Sequence, residues 1–270
     1  MTDLITVWQR STVAELSWTT TSGPSGIPVV PLVWRGRPCA ALPYSMAETA
    51  LSLRGRRVAF SVSAEDAGGR TAVVGTGPVE VFEDVEGTEF VEHMVEQEAV
   101  KHPPTRLRAD SLMARRENWW WVSRLLVSLA SVEEQHEPHP RTRAGDALLV
   151  RDRAGSPEVG VVTAEDWSDR PARSVGLWSR EGGLLEGAQE PVFVFSHQYS
   201  PDFERWERWS RSGRLDGETL VVDGVEGAPT GTDPSGPLQP YRLLERLSNH
   251  RSLARACRSG ITAAESRLAP

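Results

Sequence analysis

Residues 71–84 read TAVVGTGPVEVFED. Val73 and Val74 precede two glycines, Gly75 and Gly77, and Val79 and Val81 follow them. β-Branched residues flanking glycines inside one run predict a strand that carries a bulge or turns sharply at a barrel corner. Working back toward the N-terminus, the neighbours fit the same architecture. RVAFSVSA (57–64), CAALPY (39–44), IPVVPLVW (27–34) and VAELSWTTT (13–21) are short β patterns. SGPSG (22–26) and RGRP (35–38) separate them as turns. SMAETALSLRGR (45–56) lies between two strands and predicts a short helix whose apolar face holds Ala50, Leu51 and Leu53. Regular strands with Gly/Pro punctuation predict a barrel or sandwich.

Beyond Asp84, which can cap a helix, Phe90, Val91, Met94, Val95 and Val100 recur at helical spacing, and HPP at 102–104 ends the run. TRLRADSLMARR (105–116) predicts a second short helix, and ENWWWVSRLLVSLASVEE (117–134) a long apolar strand. In a strand, Trp119, Trp120 and Trp121 would alternate faces, and packing two barrels together is their expected use. HEPHPRTRAG (136–145) is a polar, proline-bearing linker. The strand order then repeats. DALLVRD, EVGVVTA, RSVGLWS, PVFVFS and GETLVVDG follow one another as in the first half, with PDFERWERWSRSGRL (201–215) expected as a helical insertion. YRLLERLSNHRSLARACRSGI (241–261) has an amphipathic helix pattern. The expected fold is therefore mainly β with peripheral helices. It comprises two barrel-like or sandwich-like domains in tandem, at 1–140 and 146–270, the latter with the C-terminal helix. The pair is pseudo-dimeric within one chain.

Composition excludes several function classes. The chain has 270 residues, with 39% hydrophobic and 25% charged, enough to bury a core. Net charge is −7, with a pI near 5.5, which opposes nucleic-acid binding. No run approaches the roughly 20 apolar residues that span a bilayer. The N-terminus MTDLITVWQRST lacks a signal-peptide pattern, so the cytoplasm is expected. Two cysteines, Cys39 and Cys257, make neither a disulfide framework nor a cysteine zinc site. Lys101 is the single lysine among the 30 basic residues, so an anion site must use arginine, backbone N–H groups or hydroxyls. There is no G-x-S-x-G elbow, no Walker A sequence, and no G-x-G-x-x-G after a strand.

SGPSGIPVVPLVW, ALPYSMAETALSLRGRRVAFSV and TAVVGTGPVEVFED together resemble the split β-barrel of the pyridoxamine 5'-phosphate oxidase-like flavoprotein superfamily, which includes flavin and deazaflavin reductases. The resemblance covers about residues 12–132, with a weaker echo in the second half, and implies that the tandem domains are split-β-barrel-like. It implies FMN, or alternatively deazaflavin, and hydride transfer to a small organic substrate, with no particular catalytic residue singled out. The alternative is a non-catalytic split-barrel binding protein that has lost its cofactor. The family's flavin phosphate is held by a Ser and then a basic residue at the start of the short helix. Ser45 is present, whereas Ala47 and Thr49 occupy the basic position. The implied cofactor-binding residues are therefore Ser45 and Thr49 with the nearest arginines, Arg54, Arg56 and Arg57, and Trp34 on the strand that approaches the flavin ring. Arg180 is the counterpart in the second half. Because one chain supplies both barrels, a monomer or weak homodimer is expected.

The histidines carry weaker signals. His136-x-x-His139 lies in the linker without a third ligand, so no metal site is expected. His93 and His102 are expected to face solvent, and His197 is a candidate to line a cleft in the second barrel. They leave a haem-binding relative as a third reading. GAPTGTDPSGP (227–237) reads as a surface loop, with a lid as its functional alternative.

Overall fold

A computed structural model of the chain describes residues 3–64, 72–111, 116–167, 173–227, 229 and 238–269. The loop expected at 227–237 lies largely outside them. The first unit opens with helix α1 (Leu4–Arg10), then strands β1 (Ala14–Thr20), β2 (Gly23–Val29), β3 (Leu32–Trp34) and β4 (Arg37–Pro43). A tight turn at Tyr44–Met46 leads into α2 (Ala47–Ser52), and β5 (Arg57–Val62) and β6 (Val73–Asp84) follow. Three short helices, α3 (Thr88–His93), α4 (Val95–Lys101) and α5 (Pro103–Ala109), precede β7 (Arg124–Leu129) and β8 (Glu134–His136). The second unit contains β9 (Asp146–Arg153), β10 (Ser156–Thr163), β11 (Ser174–Gly176), β12 (Trp178–Ser179), β13 (Ala188–Tyr199), β14 (Trp206–Asp216) and β15 (Thr219–Glu226). Helix α6 (Leu243–Leu268) closes the chain. Among the described residues, no helix is long and apolar enough to cross a membrane.

The first sheet runs β2-β1-β5-β6-β7-β4-β3, with β8 added on β6, and every pairing is antiparallel. Strand β6 splits it. Residues 73–78 pair with β5, and residues 79–84 pair with β7. The change of partner falls just after the glycine pair, as those glycines predict. A Cβ on Gly77 would lie 2.0 Å from the carbonyl oxygen of Ser131, and one on Gly75 would lie 2.4 Å from Leu4 Cδ2. Gly77 admits no side chain, because the atom it would meet is backbone, whereas a Cβ on Gly75 would need the end of the Leu4 side chain to move.

The second sheet runs β11-β15-β14-β13-β9-β10-β12. Its central order, β10-β9-β13-β14-β15, repeats β2-β1-β5-β6-β7, so the chain holds two split-barrel-like units in tandem. The segment expected as a helical insertion is itself β14 and takes the place that β6 has in the first unit. Its arginines recur every third residue, but they serve a neighbouring strand and loops: Arg208 pairs with Glu226 of β15, and Arg211 donates to the carbonyls of Trp167 and Gly227.

The units meet through an apolar layer of Ala59 and Val74 on one side, with Leu148, Val150, Val159, Val161, Phe193 and Phe195 on the other. Gly26 lets β2 approach the Phe195 ring, since a Cβ there would meet its Cε1 at 2.5 Å. The tryptophans expected at this interface lie elsewhere. Trp119–Trp121 belong to a 3-10 turn at Arg116–Trp121, not a strand, and Trp120 and Trp121 enter the first unit's core. Helix α6 also departs from its assignment to the second domain. Ala254, Cys257 and Ala264 are buried in the first unit's core, and the backbone of α6 at Gly260 would bring a Cβ within 2.3 Å of the Tyr44 carbonyl oxygen. Its small residues permit that close approach, whereas its N-terminal turn touches the second unit.

Candidate functional site

A cavity of about 660 Å³ opens where both units and α6 converge. Apolar residues of β2 and β4, including Val29 and Leu42, line one side. Trp120 and Trp121 come from the 3-10 turn, Phe203 from the β13–β14 connection, Trp206 from the start of β14, and Tyr241 from the approach to α6. The rings form two groups. Tyr199 stacks on Phe203 at 4.4 Å between ring centroids, and His102 packs edge-on against Phe203 at 6.4 Å and Trp206 at 6.2 Å. His250 of α6 meets the Trp120 ring at 5.3 Å.

A charged network lies beneath these rings. Glu98 of α4 is buried and pairs with Arg124 of β7 at 3.3 Å. Thr105 gives its hydroxyl proton to Glu98, so its oxygen receives Nδ1–H of His102 at 3.0 Å. Burial raises the Glu98 carboxyl, but the charges of Arg124 and His102 and the Thr105 hydroxyl outweigh it and hold the group below the ordinary carboxylate range. Burial pushes His102 and His250 below the ordinary imidazole range, and the positive charge of Arg108 adds to both shifts. From the second unit, Glu204 and Asp202 pair with Arg246 of α6 at 2.6 and 2.8 Å. Burial raises the Glu204 carboxyl. The site is thus aromatic and apolar, with its charges mostly compensated.

A second cavity of about 620 Å³ lies against β9 and β10. Its arginines, Arg151 and Arg153, are taken up by Glu158 and Glu190, and its lining is more polar. It offers no aromatic wall.

The structure scatters the residues expected to hold a flavin. Trp34 is buried and donates Nε1–H to Glu89 at 2.8 Å, beneath the Arg35 guanidinium. Ser45 is exposed in its turn, and Thr49 is half-buried on α2. Arg54 pairs with Glu83, which Arg267 of α6 also holds. Arg56 donates to the Ser52 carbonyl at 2.7 Å. Arg57 pairs with Glu133 and Glu134 and donates to Ser156 Oγ of the second unit. None of the six lines either cavity, and the three arginines serve different partners, so they build no phosphate cradle. In the second unit, Arg180 is spent on Asp146 at 3.3 Å.

The histidines divide similarly. His93 is exposed, 3.8 Å from Glu89. His136 and His139 bond to the backbone carbonyls of Val159 and Pro140. His102 is not solvent-facing as expected but lines the aromatic cavity. His197 does not line a cleft; its side chain is 2% exposed, buried between the units. Among the described residues, no group of three or more His, Cys, Asp or Glu side chains is placed to hold a metal ion. Sequence reasoning missed Arg108, Glu98, Phe203, Trp206 and His250, which meet only after folding from segments far apart in the chain.

No family model matches the sequence, and no curated protein matches it. Similar solved structures include an FAD-binding protein from Mesorhizobium loti, at 18% identity over 49% of this chain and 88% of that one, with a TM-score of 0.33. Another is an FAD-binding protein from Mycobacterium smegmatis, at 11% identity over 49% and 90% of the two chains, with a TM-score of 0.30. A haem-binding protein from Mycobacterium smegmatis aligns over 96% of this chain and 99% of its own, at 12% identity and a TM-score of 0.33. Likenesses this distant carry no argument about chemistry, which rests on the cavity.

Proposed function

We propose that the chain binds a flavin in the cavity between its two units and presents it to a small organic substrate. The observation that carries this reading is the aromatic wall of Trp120, Phe203, Trp206 and Tyr241 around about 660 Å³. Pockets of several hundred cubic ångströms lined by aromatic and apolar groups suit a fused-ring ligand, which stacks on such faces. FMN and a deazaflavin both meet that description. When bound, the flavin supplies hydride chemistry, and the chain's residues bind it, orient it and exclude water. Phe203 and Trp206 would hold one side of the ring system and Trp120 another, and the paired charges of Glu98–Arg124 and Arg246–Glu204 keep the polar rim fixed.

The experiment is a titration of the purified chain with FMN, followed by tryptophan fluorescence and by absorbance between about 370 and 450 nm. Saturable quenching that Trp206→Ala weakens at least tenfold, about 1.4 kcal/mol, supports the reading. No binding at 100 µM FMN refutes it. Turnover of the bound flavin with a nicotinamide reductant separates an oxidoreductase from a non-catalytic binding protein. Haem is the second reading, because two histidines, His102 and His250, line the same cavity. Its signature is a Soret band that shifts on adding haemin and that His102→Ala or His250→Ala alters.

A further inference from the structure

Three arginines line the aromatic cavity, and two are already occupied. Arg124 pairs with buried Glu98, and Arg246 pairs with Asp202 and Glu204. Arg108, on α5, differs. Among the described residues, its guanidinium makes no hydrogen bond and no ion pair; it lies 5.8 Å from the centre of the Trp120 ring. Glu98 and Glu204 are close enough to favour its charge but are held by the other two arginines. His250 also meets the Trp120 ring, at 5.3 Å between ring centroids. One corner therefore combines an aromatic face, a fork of five N–H donors without an acceptor, and an imidazole. A half-buried guanidinium that lacks a protein partner is suited to an anion, because a bidentate oxyanion satisfies the fork and repays its desolvation.

We propose that Arg108 is the anion anchor of this cavity, seating a phosphate or carboxylate at the edge of a planar conjugated ligand in the corner it shares with Trp120 and His250. The proposal rests on the reading that the cavity takes such a ligand. It makes the anionic group a requirement of recognition and places it on Arg108, which lines the cavity, and not on Ser45 or Arg54–Arg57, which do not. A flavin phosphate and the propionates of haem share this chemistry, and neutral analogues distinguish the two sources.

The test compares FMN with riboflavin, and haemin with its dimethyl ester, by fluorescence titration of the full chain. The wild-type chain should prefer one anionic ligand to its neutral analogue by roughly tenfold or more. Arg108→Gln should reduce that preference to about twofold while leaving affinity for the neutral analogue unchanged. Arg108→Lys should keep part of the preference, since it retains a point charge without the fork. Arg106→Ala, exposed on the same helix, should keep all of it. If Arg108→Gln fails to fold, the Lys variant and loss of the wild-type preference at raised salt decide the matter. A wild-type chain that binds none of the four ligands overturns the cavity reading and this proposal with it. Binding of both members of a pair with equal affinity, or a preference that Arg108→Gln preserves, overturns the Arg108 assignment alone.

Discussion

Glu15, Arg141 and His197 form a closed charged cluster between the units, and removing Glu15 should uncouple them. The Glu15 carboxylate is 1% exposed. It accepts hydrogen bonds from Ser61 at 2.9 Å, from Ser63 and from Arg141 at 3.1 Å, and lies 2.9 Å from His197 Nε2. Arg141 comes from the linker and also bonds to Ser63 and to Ser196 of β13. Glu15→Ala would leave a guanidinium whose side chain is 7% exposed without its countercharge. Breaking a buried pair in this way costs about 3–5 kcal/mol, a large share of the roughly 5–15 kcal/mol of a typical domain. Arg141→Ala should cost a similar amount by stranding the carboxylate. The double variant should cost less than the sum of the two by at least about 2 kcal/mol, because neither charge is then left alone. Urea unfolding of all four chains, read by tryptophan fluorescence and circular dichroism, completes the cycle. Single-variant losses under 1 kcal/mol, or strictly additive losses, would refute the claim that these charges compensate each other in a dry interface.

Acid should weaken the same joint. Burial, with Arg141 adding, holds His197 below its ordinary range, so below a pH of about 6.5 the unfolded chain binds protons that the fold refuses, and stability falls as pH drops. Glu15 is held below the carboxylate range, because His197 and Arg141 outweigh its burial, and adds a further loss below about pH 4.5. Unfolding measured from pH 8 to 5 should show a plateau above about 6.5 and a decline below it that is shallower in His197→Gln; an equal slope in both chains would refute the role of His197. Gly77→Ala should cost at least about 2 kcal/mol, since the methyl group meets the Ser131 carbonyl, and a melting temperature within 1 °C of wild type would contradict the corner geometry. Light scattering over a hundredfold dilution should give the mass of one chain; a persistent two-chain mass would show that the internal pairing of units leaves a further interface.

Local patterns made much of the fold legible. The Gly75/Gly77 pair marks the corner of β6, and RGRP turns at Arg35–Gly36, whereas SGPSG is not the turn it resembles: the chain turns at Thr21–Ser22, and Gly23–Gly26 already belong to β2. RVAFSVS and PVFVFS occupy equivalent strands, β5 and β13. What failed was non-local. Arg205, Arg208 and Arg211 have helical spacing, and only the partners supplied by other strands and loops make an extended β14 favourable. Trp119–Trp121 look like strand residues in isolation, whereas Trp120 packs against His250 of α6 and Trp119 stays exposed. The candidate site was the least legible part, because its lining comes from β2, β4, α4, α5, the tryptophan turn, the β13–β14 connection and α6, and no spacing in the sequence links these. The resemblance pointed to Ser45, Thr49 and Arg54–Arg57, whereas carboxylates such as Glu83 and Glu133, which neutralise two of the three arginines, lie 26 or more residues away in the chain.

The return of α6 to the first unit also sets the order in which the protein is completed during synthesis. The strands of the second unit have all been made by residue 226, and its core needs nothing from α6. The first unit must wait, because Ala254, Cys257 and Ala264 fill its core. The half translated first is therefore finished last, and a nascent chain carries an uncovered apolar face around Tyr44 and Trp120 until α6 leaves the ribosome. Any chain that stops before residue 243 would keep that face exposed.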